Sequence, residues 1–236
     1  MGRQSTKNAR LSALRNHGTC GQVVNSERLK VKSEKFFSER ICNLLFAFSF
    51  SLFTMKTLDV GCGTNKQAGA IGLDNNPRTA ADVIHDLGEV PYPFADDEFD
   101  EIISRHAVEH IPDVMAFITE LYRITKSSGR IKLVTPHYTN PDWATDPTHR
   151  NHFNSYSFNV FIPEKQNFEF YTDVKLKPIR TYVSLLNLWK ALGIEFIVNL
   201  DQKSPRFRFT RKFWEHYLSF IFRGKELHFE FEVIKQ

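Results

Sequence analysis

Two glycines and two carboxylates carry the first chemical signal. Leu58-Asp59-Val60-Gly61-Cys62-Gly63-Thr64-Asn65 reads as a strand ending in a tight turn. Gly61 and Gly63 let the backbone reverse sharply and come close to a ligand. A lone Gly-x-Gly is equally an ordinary strand-to-loop turn, so it needs support. The support lies eleven residues after Gly63, where Ile71-Gly72-Leu73-Asp74 sets a carboxylate at the end of a second strand. Such a carboxylate can accept both hydroxyls of a ribose. Carboxylates at two successive strand ends, Asp59 and Asp74, are hard to explain by packing.

A dinucleotide site places its acid about 20 residues on and a third glycine beside the pyrophosphate. Here Asn65 stands in the place of that glycine and the spacing is short. The pattern suits a nucleoside cofactor without a pyrophosphate, and S-adenosylmethionine (SAM) is one. Asp86-Leu87 closes a third strand, where an adenine edge and face would sit. The run Val90-Pro91-Tyr92-Pro93-Phe94 with acidic Asp96–Glu98 makes a rigid turn before the fourth strand.

A sulfonium methyl group is already electrophilic. The protein has only to align the nucleophile and, for a hydroxyl, take up a proton. Residues for that task belong after the fourth and fifth strands, at the carboxyl edge of a parallel sheet. Arg105, His106, Glu109 and His110 follow the fourth strand, and His106 is assigned to the cofactor side. His137, Asp146, His149 and His152 follow the fifth and are the catalytic candidates. Three readings of Asp146–His152 stay open. Asp146 caps a turn and the histidines bond locally; one histidine is a general base; or Asp146, His149 and His152 with His137 hold a metal. No fixed spacing demands a metal, and none is expected. For Glu109-His110, packing over the cofactor is the plain reading.

The elements that must position these groups alternate strand and helix, as a mostly parallel sheet requires. Strands are expected at Thr57–Val60, Ala70–Leu73, Asp82–His85, Glu101–Ser104 and Arg130–Thr135. A helix over about Asp113–Thr125 carries Val114, Phe117, Ile118, Leu121 and Ile124 at helical spacing and stops at Ser127-Ser128-Gly129. Thr64–Gly69 is too short for a full helix between the first two strands. Phe168–Val183 reads as a long strand, Leu185–Leu200 and Phe209–Phe222 as amphipathic helices, and Glu226–Ile234 as a strictly alternating last strand. Arg206–Arg223 mixes bases with aromatic residues; the reading is a lid or dimer helix whose aromatic face covers the sheet edge.

The net charge of +4 in 236 residues is unevenly placed. Residues 1–54 hold nine Lys/Arg against three Asp/Glu, so the rest is slightly acidic and polyanion binding by the whole chain loses its support. An apolar run, Ile41–Met55, is shorter than the roughly 20 residues of a membrane helix. It reads as a helix packed on the domain, a membrane-surface anchor, or sequence outside the natural product. Residues 1–54 are taken as a basic and apolar extension, disordered or dispensable, and 55–236 as the catalytic domain with a helical ornament at about 184–223. Three cysteines without metal spacing point to a reducing cytoplasm.

The ordered run DVGCGTN, GLD, DL, PYPFADDEFDEI, EHI and a helix ending SSGRIKLVTP resembles class I SAM-dependent methyltransferases, most of all the methyltransferase type 11 branch. The likeness covers roughly Met55–Pro136. The tail, with TDPTH after the fifth strand and Glu230–Lys235 at the end, is similar to a small bacterial and archaeal group. The resemblance implies an α/β, Rossmann-like sheet, mostly parallel with an antiparallel last strand, plus a C-terminal helical insertion. It implies an enzyme using SAM, with cofactor roles for Asp59, Gly61, Gly63, Asp74, Asp86 and Leu87. A small polar acceptor methylated on oxygen is the leading expectation. A non-catalytic SAM-binding module and a protein or nucleic-acid methyltransferase are the alternatives. Ser104-Arg105-His106-Ala107 stands where amino-methylating DNA enzymes carry an Asp or Asn followed by Pro-Pro and an aromatic residue, which disfavours a nucleic-acid base. Membrane-surface contact is not the favoured reading, and the oligomeric state is open.

Overall fold

The computed structural model describes residues 55–165 and 171–235. The expectations for residues 1–54 lie outside the described residues. Seven strands form one sheet: β1 (Thr57–Val60), β2 (Ile71–Asp74), β3 (Val83–Ile84), β4 (Phe99–Arg105), β5 (Thr125–Pro136), β6 (Leu176–Leu185) and β7 (Gly224–Val233). Their order is β3-β2-β1-β4-β5-β7-β6. The ladders from β3 through β5 are parallel, and β7 runs antiparallel between β5 and β6. From β1 the chain moves outward to β2 and β3, then returns to the other side of β1 as β4. The order in which strands are added therefore reverses between the parallel neighbours β1 and β4, and the carboxyl ends of these two strands flank a crevice.

Burial explains the strands at the centre. Leu58, Asp59 and Val60 of β1 are all buried, as expected for a strand covered on both faces. Strand β7 alternates instead. Leu227, Phe229, Phe231 and Val233 are buried, while Glu230 and Glu232 stay partly exposed and pair with Arg130 and Lys177. The buried face is covered by the segment after β5, where Phe158 packs edge-on against Phe229 and Phe231.

One long helix, α1 (Val114–Ile124), connects β4 to β5. Asp113 caps it, its carboxylate accepting from Ala116 N at 2.9 Å. Phe117, Ile118, Leu121 and Ile124 form its buried stripe. The chain leaves α1 directly into β5 at Thr125, five residues before the strand start expected at Arg130. Thr125 is already extended, and its hydroxyl donates to Leu121 O, ending the helix without a loop.

The C-terminal ornament differs most from expectation. The expected strand from Phe168 starts at Leu176, and residues 166–170 lie outside the described residues. The two long helices are replaced by short pieces: α2 (Asn187–Ala191), α3 (Ile194–Val198) and α4 (Arg208–Phe213), the last continuing as a π-helical turn over Trp214–Leu218. Gly193, in the left-handed region at φ 74°, separates α2 from α3. The aromatic face does not cover the sheet edge as expected. Trp214 is buried, but Phe196, Phe209, Phe213, Tyr217 and Phe220 are exposed. Among the described residues no helix is long and apolar enough to cross a membrane.

Candidate active site

The turn after β1 is shaped by its glycines. Gly61 has φ 70° and Gly63 φ 52°, both in the left-handed region. A Cβ on Gly61 would lie 2.5 Å from the Cβ of Ala107, so only glycine lets this turn approach the end of β4. Leu73 O on the neighbouring strand accepts from the N–H groups of Gly61 and Cys62 and fixes the turn. Asp74 completes the frame. Its Oδ2 accepts from Gly63 N at 2.9 Å, and its Oδ1 from Asn76 N at 2.9 Å.

A cavity of about 490 Å³ opens above this turn. Gly61, Gly63, Asp74, Asp86, Leu87 and His106, six of the seven residues expected to meet the cofactor, line it. Asp86 Oδ1 accepts from Gly88 N at 2.8 Å and holds the turn that forms one side. Asp59 is the exception. It is fully buried, and its Oδ2 accepts from Gln67 N at 2.7 Å and from the Arg105 guanidinium at 2.9 Å. Its Oδ1 is buried and makes no hydrogen bond.

The opposite wall is polar. His106, Ala107, His110 and Thr148 contribute to it. His106 follows β4 with φ 53°, a backbone conformation uncommon for a side-chain-bearing residue. The nearby Glu109 carboxylate raises the His106 imidazole above its usual range, more than burial lowers it, and Glu226 adds to the rise. Glu109 sits in the 3-10 turn Val108–His110 and is wholly buried. Its Oε2 accepts from the Thr135 hydroxyl at 3.0 Å.

The segment after β5 folds back over this turn. Arg150 N and Asn151 N both donate to Glu109 O, and Asn151 Nδ2 donates to Ile111 O. Asp146 caps its own turn, accepting from Thr148 N and the Thr148 hydroxyl. His149 comes within 4.7 Å of His110, measured between ring centroids. His152 is exposed and stacks on Trp143 at 3.7 Å. His137 is fully buried, its nitrogens bonded to Thr139 and to Glu215 at 2.7 and 3.2 Å. None of the four catalytic candidates lines the cavity: His149 reaches its wall only through His110 and Asp146 only through Thr148, while His137 and His152 lie elsewhere.

Thr148, which sequence reasoning passed over, lines the cavity, and Glu109 and His110, named among the candidates after the fourth strand but read plainly as packing, lie against His149. The histidine-rich spacing was the available signal for His149; nothing in the sequence pairs it with a residue 40 positions earlier. A larger cleft, about 620 Å³, lies between β6 and α3 and includes Arg180, Tyr182, Lys190 and Glu195. It shares no residue with the first and has no glycine turn at a strand's carboxyl end, so volume alone does not select it.

Residues 58–133 match the methyltransferase domain family, under a third of the chain. No curated protein matches the chain. Among solved structures, a SAM-dependent methyltransferase from Archaeoglobus fulgidus is 18% identical, with a TM-score of 0.46, over 86% of this chain and 99% of that one. A second, from Mesorhizobium loti, is 12% identical with a TM-score of 0.46, covering 75% and 90%. The YcgJ protein of Bacillus subtilis is 15% identical with a TM-score of 0.47, covering 77% and 93%.

Proposed function

We infer, from the type 11 class I methyltransferase domain over residues 58–133, that the cavity between the ends of β1 and β4 binds SAM and that the chain methylates an oxygen of a small polar acceptor. One observation carries this reading. A single cavity gathers the Gly61–Gly63 turn, Asp74 and the Asp86–Gly88 turn on one side, with His106, His110 and Thr148 on the other.

The residues present fit the cofactor. The cavity volume lies in the range of small-molecule sites. Each oxygen of Asp74 spends one acceptor direction on a backbone N–H, which leaves further lone pairs for two ribose hydroxyls. Leu87 and Gly88 offer an apolar surface for a base, with Asp86 at its edge. Asp59 lies outside the cavity lining and its charge is paired with Arg105, so its part is to brace the Gly61 turn and the following chain through Gln67 N. Bound SAM supplies an electrophilic methyl group. The chain aligns the acceptor and excludes water. As the acceptor oxygen bonds the methyl carbon and the methyl–sulfur bond breaks, an imidazole of the polar wall takes the hydroxyl proton. His106, His110 and Thr148 line the cavity and are assigned this hydrogen bonding and proton uptake.

Methyl-labelled SAM, incubated with the protein and a fractionated cell extract, tests the reading. Label in low-molecular-weight, base-stable products is the expected result. Label confined to protein or nucleic acid would overturn the acceptor class. SAM binding without transfer to any fraction would overturn catalysis and leave a binding module.

A further inference from the structure

We propose that Glu109, His110 and His149 form a site for a divalent first-row transition-metal ion at the rim of the cavity. One ligand atom from each residue falls within 4.8 Å of the others, the only such group among the described residues. Two imidazoles and a carboxylate are a donor set suited to ions such as Zn²⁺, Co²⁺ or Fe²⁺.

Glu109 supplies an independent observation. The residue is wholly buried, yet its Oε1 makes no hydrogen bond. His106 Nδ1 lies 3.4 Å away, an ion-pair contact rather than a hydrogen bond. A wholly buried carboxylate oxygen that makes no hydrogen bond keeps lone-pair capacity that a cation can use.

The hydrogen bonds also fix which nitrogen each histidine offers. Trp143 O can only accept, so His149 Nδ1, 2.8 Å from it, carries the proton. The Thr148 hydroxyl donates its one hydrogen to the Asp146 carboxylate at 2.6 Å. Toward His110 Nδ1, 2.9 Å away, it can therefore only accept, and that nitrogen carries a proton too. With Nδ1 carrying the proton, Nε2 is the nitrogen each ring can offer to an ion. Metal-binding histidines are held in this way, with the second nitrogen donating to a carbonyl or to a carboxylate-linked group. Asp146 Oδ2, 4.0 Å from His149 Nε2, adds negative charge beside the site.

The backbone around the three ligands is already braced. Glu109 and His110 belong to one 3-10 turn, and Glu109 O accepts from Arg150 N and Asn151 N, which ties the His149 segment to that turn. The Asp146-Pro147-Thr148-His149 run thus has a role that neither a simple turn cap nor a lone base explains. Because His110 and Thr148 also line the cavity, the ion would stand beside the acceptor. Its use there, to polarise the acceptor oxygen, rests on the methyltransferase reading; the binding of the ion does not.

The test is a titration of the chelator-treated full chain with Co²⁺ alone, followed by visible absorption and calorimetry. One equivalent bound, with ligand-field bands of a nitrogen- and oxygen-ligated ion, is expected. Glu109→Gln and His149→Gln, which keep side-chain size, should each weaken binding by at least about 100-fold, with thermal melts confirming that both variants fold. His152→Ala should retain full Co²⁺ affinity. Wild-type protein that takes up no Co²⁺ would overturn the proposal, as would folded variants that bind as tightly as wild type. Methyl transfer persisting in wild-type protein that binds no Co²⁺ would sink this proposal and leave the methyltransferase reading intact. Co²⁺ binding without methyl transfer would do the reverse.

Discussion

Replacing Asp74 tests the cofactor assignment through a group whose surroundings are fully specified. Its carboxylate is nearly buried and accepts from Gly63 N and Asn76 N, one bond to each oxygen. A carboxylate has about four acceptor directions, so about two remain for the ribose. Hydrogen bonds to a charged group contribute about 1.5–3 kcal/mol. Asp74→Ala should therefore weaken SAM binding roughly 10–100-fold, at about 1.4 kcal/mol for each factor of ten. Asp74→Asn should behave similarly. Its amide must point an N–H₂ at one of the two backbone donors, so the turn loses a bond and the ribose loses the charge. Calorimetric titration with SAM and with S-adenosylhomocysteine measures both effects, and a melting curve without ligand separates turn damage from lost contacts. Unchanged affinity in a folded Asp74→Ala protein would refute the reasoning, because the ribose would then be held elsewhere.

Other perturbations reach different parts of the account. Gly61→Ala places a Cβ 2.5 Å from Ala107 Cβ at φ 70°, and it should abolish measurable SAM binding by calorimetry while lowering the melting midpoint. Glu215→Gln should destabilise the fold by roughly 1.5–3 kcal/mol near neutral pH, because the buried carboxylate ties His137 Nε2 and Ser155 N to the C-terminal helical segment. That corresponds to a drop in midpoint of roughly 3–12 °C. Burial pushes the Glu215 carboxyl up, but its bonds to His137 and Ser155 and the His137 charge outweigh burial, and the net direction is down. A lowered folded-state value makes this stabilisation complete above the unfolded glutamate value, about 4.3, and lost as pH falls through the folded one. Melts of wild type and variant should converge in acid; a gap that stays constant from pH 7 to pH 3 would contradict this.

The parallel half of the fold was legible because its signals are local. Leu58–Asp59–Val60 and Ile71–Asp74 are short apolar runs that carry a carboxylate at or next to their last residue, and the chain between them is too short for a full helix. Asp113 and the stripe from Phe117 to Ile124 marked α1 for the same reason. The start of β5 was missed because Ser128-Gly129 looks like a stop signal, whereas Thr125 ends the helix through its own hydroxyl. The ornament is helical as expected, but its two long helices were misjudged because Phe209, Phe213 and Tyr217 carry a helical period that nothing among the described residues of the chain buries. Periodicity reports a face, not what covers it. The juxtaposition of Glu109 and His149 behind the polar wall joins residues 40 positions apart, which no local pattern encodes.

The most direct test of the central claim is a crystal structure of the protein with S-adenosylhomocysteine. The account predicts the ligand in the cavity between the ends of β1 and β4, its ribose hydroxyls within hydrogen-bond distance of Asp74 and its adenine against Leu87 and Gly88, beside Asp86. A nucleoside bound elsewhere, for instance in the cleft beside Tyr182 and Glu195, or an empty cavity at saturating ligand, would contradict it.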